Sequence, residues 1–500
     1  MHQEKKMFFT STRADLDVTA AQAIARGISQ EGGLFVPSEF PRFSNGKMQS
    51  LVSMTYKERA QAILSGFLTA FTPDEIDYCV NGAYTGTFDN EEPAPVFSLE
   101  GGRHILELWH GPTCAFKDLA LQILPFLLTV SAKKSAPDKK IVILVATSGD
   151  TGKAALAGFA DVPGTSIVVF FPKNGVSPMQ QLQMTTQQGA NVAVCAIEGN
   201  FDDAQTGVKK IFGDENMKRF LEEKNMEFSS ANSINFGRLA PQIVYYFSAY
   251  CDLVRDGKIK LGDSVNVCVP TGNFGNILAA FYAKQMGLPV KKFICASNKN
   301  NILTDFLNTG VYDRNRPFYT TSSPSMDILI SSNLERLLYH LYGNDAKATA
   351  ALMKQLSQEG RYEVAPEILA KLKEEFYAGF CDEESTEKTI AALFKNDNYL
   401  CDTHTAVAVK VYEDYRRESG DETPCIIAST ASPFKFAAAV LGAVDSGKAP
   451  EDGFELLEKL SQVSKVPVPA PLSGLKSLGI RHKSCVKKED MANFICNFLK

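Results

Sequence analysis

The chain has 500 residues, of which 45% are hydrophobic and 22% are charged. This length exceeds what one compact core accommodates, so we expect two or three domains of a globular protein. With 52 Lys and Arg against 57 Asp and Glu, the formal net charge is −5, which disfavours nucleic acid as the main partner. The 11 cysteines form no CxxC pair or Cys/His cluster, so neither a disulfide framework nor a metal site is expected.

Cysteine use of this kind fits a reducing compartment. The start, MHQEKKMFFTSTRAD, lacks the apolar stretch of a secretory signal, and the longest apolar runs are too short to span a bilayer. We therefore predict a cytoplasmic protein that binds neither nucleic acid nor membrane. A monomer or a homodimer is expected.

The predicted elements begin with a region at residues 1–90, which holds a short strand at 34–36 and helices at 56–71 and after Pro73. From an acidic linker at 89–97 to about residue 300, strands and helices alternate, as in a parallel α/β protein. Continuous apolar runs predict buried strands at 141–146, 165–172, 190–199, 264–270, 291–298 and 424–430. Ligands of such sheets bind at the carboxyl ends of the strands.

The predicted organisation has three units. The N-terminal region at 1–90 precedes a two-lobed core at 91–460, whose smaller lobe covers roughly 136–235. A proline-rich connection and a short helix complete the chain at 461–500. Within the core, residues 335–394 are interpreted as a helical lobe with one charged face.

Lys117 lies in the motif HGPTCAFKDLALQ, where Thr113 is predicted to cap an amphipathic helix. Its apolar neighbour Phe116 and the positive end of the helix dipole both disfavour the ammonium form. A lysine with a lowered pKa is the amine that a carbonyl cofactor needs. The alternative is an ordinary solvated lysine at the start of a helix.

Three predicted strands end in turns of small or polar residues. ATSGDTGKAA carries hydroxyls and free amides that suit a carboxylate, and PTGNFGN would present helix-terminal amides to a phosphate. The latter lacks the P-loop and GxGxxG patterns, which argues against ATP hydrolysis and against NAD. ASTASPFKF adds the neutral hydroxyl of Thr430. Each turn alone could be a helix cap, but together with Lys117 they describe a pyridoxal 5′-phosphate site.

HGPTCAFKDLALQ, ATSGDTGKAA, NSINFGR, VPTGNFGN, SPSMDI and STASPFKF, in this order, resemble the threonine synthase family, in particular its bacterial and fungal branch. The resemblance implies an α/β, two-lobed, parallel-sheet fold of the type II pyridoxal-phosphate enzymes, with an added N-terminal region and a helical lobe. It also implies a lyase at the last step of threonine biosynthesis. That enzyme converts O-phospho-L-homoserine and water into L-threonine and phosphate by γ-elimination and β-addition of water.

The resemblance assigns roles to individual residues. Lys117 matches the lysine that carries the cofactor and shuttles protons, and Thr430 matches the residue that faces the pyridine nitrogen. The cofactor phosphate loop corresponds to Gly272, Asn273, Phe274, Gly275 and Asn276. The turn for the substrate carboxylate corresponds to Ser148, Asp150 and Thr151. Further substrate contacts are expected from Asn232, Ser233, Asn235, Arg238, Ser325 and Asp327. Arg238 is assigned to the leaving phosphate, because a guanidinium binds phosphate through two hydrogen bonds; a salt-bridged surface arginine is the alternative.

Cys114, Thr403, Ser432 and Phe434 depart from the family's pattern. Because the cofactor residues are intact, these changes bear on substrate fit. They leave open a phospho-lyase that releases a 2-oxo acid, ammonia and phosphate. Cys114 is interpreted as a small core residue, and His404 as packing in the core rather than touching substrate. A non-catalytic binding protein is a further alternative, which the retention of Lys117 disfavours.

Overall fold

In the computed structural model, which describes residues 6–135, 139–147, 149–174, 176–445, 447 and 449–500, two parallel sheets carry the elements around Lys117. Apolar runs form their central strands, as expected where helices cover both faces of a sheet. The predicted parallel α/β fold is confirmed. Within these ranges, every helix is too short or too polar to cross a membrane.

The larger sheet joins strands that lie far apart in the chain. Its neighbouring strands are parallel, except that the edge strand Val96–Ser98 runs antiparallel to Arg103–Glu107. Val265–Pro270 lies in the interior of the sheet and is buried along its whole length. In spatial order the strands are Phe376–Phe380, Val290–Ser297, Val265–Pro270, Cys425–Ser429, Arg103–Glu107 and Val96–Ser98.

The smaller sheet is parallel throughout. Its predicted strands are confirmed, and Thr165–Pro172, in the middle, is buried at every position. Two edge strands extend the sheet beyond the prediction. In spatial order the strands are Ser484–Lys487, Val192–Glu198, Thr165–Pro172, Lys140–Ala146 and Met226–Ser229.

The N-terminal region packs a small antiparallel sheet of Val18–Thr19, Phe8–Ser11 and Phe35–Pro37 against helices. Two of these helices begin with the sequence Thr-x-x-Glu, in which the threonine and the glutamate cap each other's backbone amides. The helices are Ala20–Arg26, Asn45–Val52, Tyr56–Phe67 and Pro73–Tyr84.

The other helices cover both sheets, and a two-stranded ribbon of Val311–Asp313 and Arg361–Glu363 lies among them. The α-helices are Lys117–Leu121, Leu124–Ser135, Asp150–Phe159, Pro178–Thr185, Phe201–Gly213, Glu215–Glu223, Phe236–Arg255, Gly275–Met286, Ile302–Thr309, Leu334–Leu341, Ala346–Glu359, Pro366–Glu375, Glu383–Asp397, Thr403–Ser419, Ala437–Val444, Gly453–Ser464, Ala470–Ser473 and Met491–Phe498. Single 3₁₀ turns are Pro324–Met326, Pro433–Phe436, Gly474–Ser477 and Lys488–Asp490.

The helix that begins at Lys117 is shorter than its apolar pattern predicts. It ends at Leu121, and Pro125, which has no amide hydrogen, cannot donate to the Leu121 carbonyl. Helix Asp150–Phe159 packs closely at this break, because a Cβ on Gly158 would lie 2.0 Å from the Leu121 oxygen. This contact brings a helix of the smaller sheet against the helix of Lys117.

The predicted cap at Thr113 is wrong. Helix Lys117–Leu121 has Phe116 at its N-cap and no side-chain cap. Thr113 lies too far upstream, and Cys114 turns the chain in a left-handed conformation with φ of 56°. Thr113 instead donates from its amide and its hydroxyl to the carboxylate of Asp118, at 2.8 and 2.6 Å.

Two other segments differ from their predictions. Residues 335–394 contain the predicted helices, but also the edge strand Phe376–Phe380, which pairs with Val290–Ser297 and ties this segment to the larger sheet. The segment predicted as a C-terminal connection and helix contributes Ser484–Lys487 to the smaller sheet. The boundaries near residues 90 and 460 stay predictions.

Candidate active site

Lys117 lies between the two sheets. Its Nζ is 3.4 Å from Ser325 Oγ and 3.9 Å from Asp150 Oδ2, and its side chain is 12% exposed. Burial lowers the pKa of Lys117, the charges of Lys435 and Arg238 lower it further, and Asp150 opposes them. The lowered pKa agrees with the sequence-based expectation. Burial is its largest cause.

The phosphate loop, residues 270–276, follows the carboxyl end of strand Val265–Pro270. Phe274 is left-handed, with φ of 63°, and helix Gly275–Met286 begins directly after it. A Cβ on Gly272 would lie 2.7 Å from the carbonyl oxygen of Ser325, so a side chain there does not fit. Asn276 accepts a hydrogen bond from Tyr246, while its buried Nδ2 has no partner among the described residues.

These features fit the phosphate group of pyridoxal 5′-phosphate. The first amides of a helix have no acceptor within the helix, and Asn276 adds an unused side-chain donor to them. The structure brings the loop that contains Gly272, Asn273, Phe274, Gly275 and Asn276 next to Ser325, which contacts Lys117. The loop could therefore hold the cofactor phosphate close to the lysine.

Thr430 follows strand Cys425–Ser429 and lies against the start of the lysine helix. Its carbonyl accepts a hydrogen bond from the Phe116 amide at 2.9 Å, and its side chain is largely buried. The preceding Ser429 accepts from Thr405 Oγ1 at 3.0 Å. The structure thus places Thr430 beside Lys117, and its role towards the ring nitrogen stays a prediction.

The carboxylate turn, residues 147–152, leads into helix Asp150–Phe159. Thr147 Oγ1 accepts hydrogen bonds from the amides of Gly149 and Gly152, each at 3.0 Å. Ser148, which the sequence assigns to this turn, lies outside the described residues. Thr151 is half-buried in the first turn of the helix.

Asp150 is the charged member of this turn. Its Oδ1 accepts from Lys435 Nζ at 2.8 Å and from Gln180 Nε2 at 3.2 Å. Burial alone would raise the pKa of Asp150, but the ion pairs with Lys435 and Lys117 outweigh it and hold the pKa well below its usual range. Asp150 is therefore ionised beside Lys117.

Arg238 is buried at the start of helix Phe236–Arg255. It donates from Nη1 to the Ala231 carbonyl at 2.9 Å, and its Nε has no partner among the described residues. Arg238 is buried and forms no ion pair with a carboxylate among the described residues, so the surface salt bridge considered from sequence is wrong. Burial lowers its pKa to about 10. Helix Phe236–Arg255 packs against helix Lys117–Leu121, and the charge of Arg238 contributes to the lowered pKa of Lys117.

The other predicted residues of NSINFGR differ from Arg238 in their contacts and exposure. Asn235 caps the helix by accepting from the Gly237 amide, and it donates to the carbonyls of Ile24 and Ser230. These bonds give it a structural role. Asn232 is exposed and Ser233 is half-buried, and neither forms a described contact with Lys117.

Of the two predicted residues in SPSMDI, Ser325 contacts Lys117, whereas Asp327 forms no described contact with it. The Asp327 carboxylate accepts hydrogen bonds from Asn298, Asn300 and Thr321, all between 2.8 and 2.9 Å. Asp327 therefore holds its own loop together rather than facing the lysine.

Sequence reasoning underestimated His404. Its Nε2 accepts from the Ser325 amide at 3.1 Å, and its Nδ1 donates to Asp402 at 2.7 Å. The ring also packs on Phe436, as predicted. Its position two residues after the helix-capping Asp402 is the signal in the sequence that could have indicated a held imidazole. His404 thus fixes the backbone that carries the Ser325 hydroxyl.

The sequence analysis assigns no role to Lys435, which lies in STASPFKF. The other unusual residues nearby have structural contacts. Ser432 caps the 3₁₀ turn through the Phe434 amide, Phe434 is buried in the core, and the Cys114 carbonyl accepts from the Ser432 amide. Among the described residues, no group of ligands could hold a metal ion.

Comparison with known proteins gives three family profiles in order along the chain. They are described as "Threonine synthase N terminus" at residues 8–84, "Pyridoxal-phosphate dependent enzyme" at 93–430 and "Threonine synthase, C-terminal" at 405–478. Human threonine synthase-like 1 is 43% identical over 457 residues, which is 89% of this chain and 61% of that protein. The chain thus spans about three fifths of the length of this relative.

Other matches extend over nearly the whole of both proteins. Threonine synthase of Pseudomonas aeruginosa is 39% identical over 436 residues, covering 87% of this chain and 90% of that protein. A crystal structure of PLP-bound threonine synthase from Brucella melitensis overlays with a TM-score of 0.88 at 35% identity, over 99% of this chain and all of that one. Because profiles, sequences and structure agree along the chain, it belongs to the threonine synthase family of enzymes, whose cofactor is pyridoxal 5′-phosphate.

Proposed function

We propose that this protein is a lyase that converts O-phospho-L-homoserine and water into L-threonine and phosphate. The observation that carries the proposal is the guanidinium of Arg238, which is buried without a carboxylate partner among the described residues, on a helix that packs against the helix of Lys117. A buried cation without a carboxylate partner is costly unless an anion joins it. A phosphorylated amino acid supplies such an anion close to the lysine that would hold the cofactor.

Bound pyridoxal 5′-phosphate supplies an aldehyde for an amine and a ring that accepts electrons from the carbon next to it. The loop of Gly272 and Asn276 would bind its phosphate, and Lys117 would hold its aldehyde. Because its pKa is lowered, Lys117 is suited as a free amine to take and return protons at Cα and Cβ of the substrate. Arg238 would bind the leaving phosphate, and Asp150 and Thr151, with Ser148, would lie at the substrate carboxylate.

The remaining site residues divide by their contacts. Ser325 would orient the Lys117 amine, and Thr430 would face the pyridine nitrogen. We keep Asn232 and Ser233 as substrate candidates, because they precede Arg238. The bonds of Asn235 and Asp327 support structural roles instead.

The phospho-lyase alternative gains no support from the unusual residues that suggested it. Ser432 and Phe434 form a helix cap and a core contact, and no described contact links either side chain to Lys117. Cys114 is buried, and burial raises the pKa of its thiol to about 12, so it is a poor nucleophile.

Product analysis with O-phospho-L-homoserine tests the function. We expect threonine and phosphate in equal amounts, and Lys117→Ala should lower turnover by about 10³-fold. Lys388→Ala is the matched control, because Lys388 is largely exposed on another helix and pairs only with Glu384 in the described structure. Release of 2-oxobutyrate and ammonia instead of threonine would establish the phospho-lyase alternative.

We also propose a cytoplasmic location, which the 11 free cysteines support. A monomer or a homodimer is expected, with no nucleic acid or membrane partner. Light scattering of the purified protein checks the assembly: a mass near 55 or 110 kDa agrees with the proposal, given 54.7 kDa for one chain.

A further inference from the structure

Lys435 is a nearly inaccessible lysine that the proposed mechanism does not use. It lies in the 3₁₀ turn Pro433–Phe436, shortly after strand Cys425–Ser429 and Thr430, and its side chain is 2% exposed. Its Nζ donates to Asp150 Oδ1 at 2.8 Å and to the Thr113 carbonyl at 2.9 Å. One acceptor belongs to the carboxylate turn and the other to the loop that precedes Lys117. Lys435 thus connects both sides of the site.

Asp150 poses a problem for the proposed substrate. It stands in the turn expected to receive a carboxylate, and its Oδ2 lies 3.9 Å from Lys117 Nζ. An uncompensated negative charge there would repel a substrate carboxylate and would favour the ammonium form of Lys117. The ammonium form cannot act as a nucleophile or as a base.

We propose that Lys435 is a positioning residue that neutralises Asp150, so that the carboxylate turn accepts an anionic substrate and Asp150 does not hold Lys117 as an ammonium ion. This inference rests on the proposed function for the nature of the substrate. The charge relation between Lys435, Asp150 and Lys117 is independent of it.

The other ionisable groups around the pair do not replace Lys435. Arg238 and Lys153 form no ion pair with Asp150 in the described structure. Asp118 is bound by Thr113, and burial raises its pKa to about 6. The buried Cys114 thiol stays neutral, because burial raises its pKa to about 12. Among the described residues, Lys435 is therefore the one cation besides Lys117 that pairs with Asp150.

Charge compensation makes opposite predictions for the two partners. The visible absorbance of cofactor bound to Lys117 changes with pH as the lysine nitrogen loses its proton. In Lys435→Gln the midpoint of this titration should rise by about one pH unit, because a neighbouring positive charge is lost. In Asp150→Asn it should fall by about as much. The double variant, which has a neutral pair, should return to within about 0.3 unit of the original protein.

Steady-state kinetics give a second measurement. Lys435→Gln should raise the KM for O-phospho-L-homoserine about tenfold, because Asp150 is then uncompensated, and the double variant should recover most of this loss. The KM of Lys435→Arg, which keeps the charge, should lie between the values of the original protein and of Lys435→Gln. A double variant as impaired as Lys435→Gln in KM, or absorbance midpoints that do not move in opposite directions, would overturn the inference.

Separate controls test whether the variants fold and whether the inference depends on the proposed function. Thermal unfolding of each apo-protein reports whether a variant folds. If Lys435→Gln does not fold, Asp150→Asn and the double variant still decide through their absorbance midpoints. Since that titration uses no substrate, it tests Lys435 even if the original protein makes no threonine from O-phospho-L-homoserine.

Discussion

The phosphate loop at residues 270–276 is shaped by backbone geometry, whereas the carboxylate turn at residues 147–152 depends on charged side chains brought from elsewhere in the chain. In the loop, a left-handed Phe274 and the absence of a side chain at Gly272 leave amides free at a helix start. In the turn, Asp150 takes its partner from Lys435, near the other end of the sequence. A local pattern therefore identifies the loop, while the turn is complete only in the folded protein.

Removing the charge of Arg238, which has no carboxylate partner in the described part of the chain, is the strongest way to test the charged part of the site. We expect Arg238→Met to lower kcat/KM for O-phospho-L-homoserine about 100-fold, because charge-assisted hydrogen bonds to the phosphate are lost. Steady-state phosphate release measures this. Arg238→Lys keeps the charge but cannot bind phosphate through two parallel hydrogen bonds, so it should recover only part of the activity.

Arg238→Met should also change the pH dependence of the activity. Arg238 helps to lower the pKa of Lys117, so its removal should move the acid limb of the activity profile to higher pH. Cofactor affinity should change little, since the phosphate loop is built from other residues. Equal losses of cofactor affinity and activity would show that Arg238 supports the fold of the site instead.

Gly272→Ala tests the phosphate loop, which is shaped by backbone geometry. The added Cβ would lie 2.7 Å from the Ser325 carbonyl, and overpacking of this kind costs about 2 kcal/mol, or roughly 30-fold in cofactor affinity. Titration of the apo-protein with pyridoxal 5′-phosphate measures the effect. Gly442→Ala is the matched control, because a Cβ there meets nothing within 4 Å. Unchanged cofactor affinity in Gly272→Ala would contradict the close packing of the loop.

His404 connects the two parts, because it holds the loop of Ser325 that reaches both Gly272 and Lys117. His404→Phe keeps the ring on Phe436 but loses the acceptor for the Ser325 amide. We expect kcat/KM to fall about tenfold, the value of one buried hydrogen bond. His404→Gln, which retains an acceptor, should recover part of the loss. Equal losses of kcat/KM in His404→Phe and His404→Gln would show that His404 acts only by packing.

The sequence predicts those parts of the molecule that depend on neighbours in the chain. The apolar run of Thr165–Pro172 predicts a buried strand, and glycine and asparagine in the phosphate loop predict free amides. The edge strand Phe376–Phe380 escapes prediction because it is short and lies between charged helices. Its pairing with Val290–Ser297 depends on tertiary contact.

The same reasoning explains the errors at the site. Thr113 has the composition of a helix cap, but the buried carboxylate of Asp118 takes its hydroxyl. The ion pair of Lys435 with Asp150 joins residues that follow strands of different sheets, so no local periodicity reveals it. Arg238 was identified by its chemistry, and only the structure shows that it is buried without a carboxylate partner among the described residues.

Thr403 offers the smallest expected effect and tests whether a departure from the family pattern alters the site. It is the first residue of helix Thr403–Ser419, a position where proline is favoured because the amide there has no acceptor within the helix. The preceding Asp402 has φ of −81° and ψ of 170°, which a following proline permits.

Thr403→Pro should therefore fold normally. It loses the hydrogen bond from Thr403 Oγ1 to the Ser322 carbonyl, 2.8 Å long, and gains rigidity in the unfolded chain. These effects oppose each other, so we expect Tm to change by less than about 3 °C and KM by less than about threefold. Differential scanning fluorimetry and phosphate release measure them. A larger rise in KM would show that the Thr403 hydroxyl, through Ser322, helps to set the loop of Ser325 against Lys117.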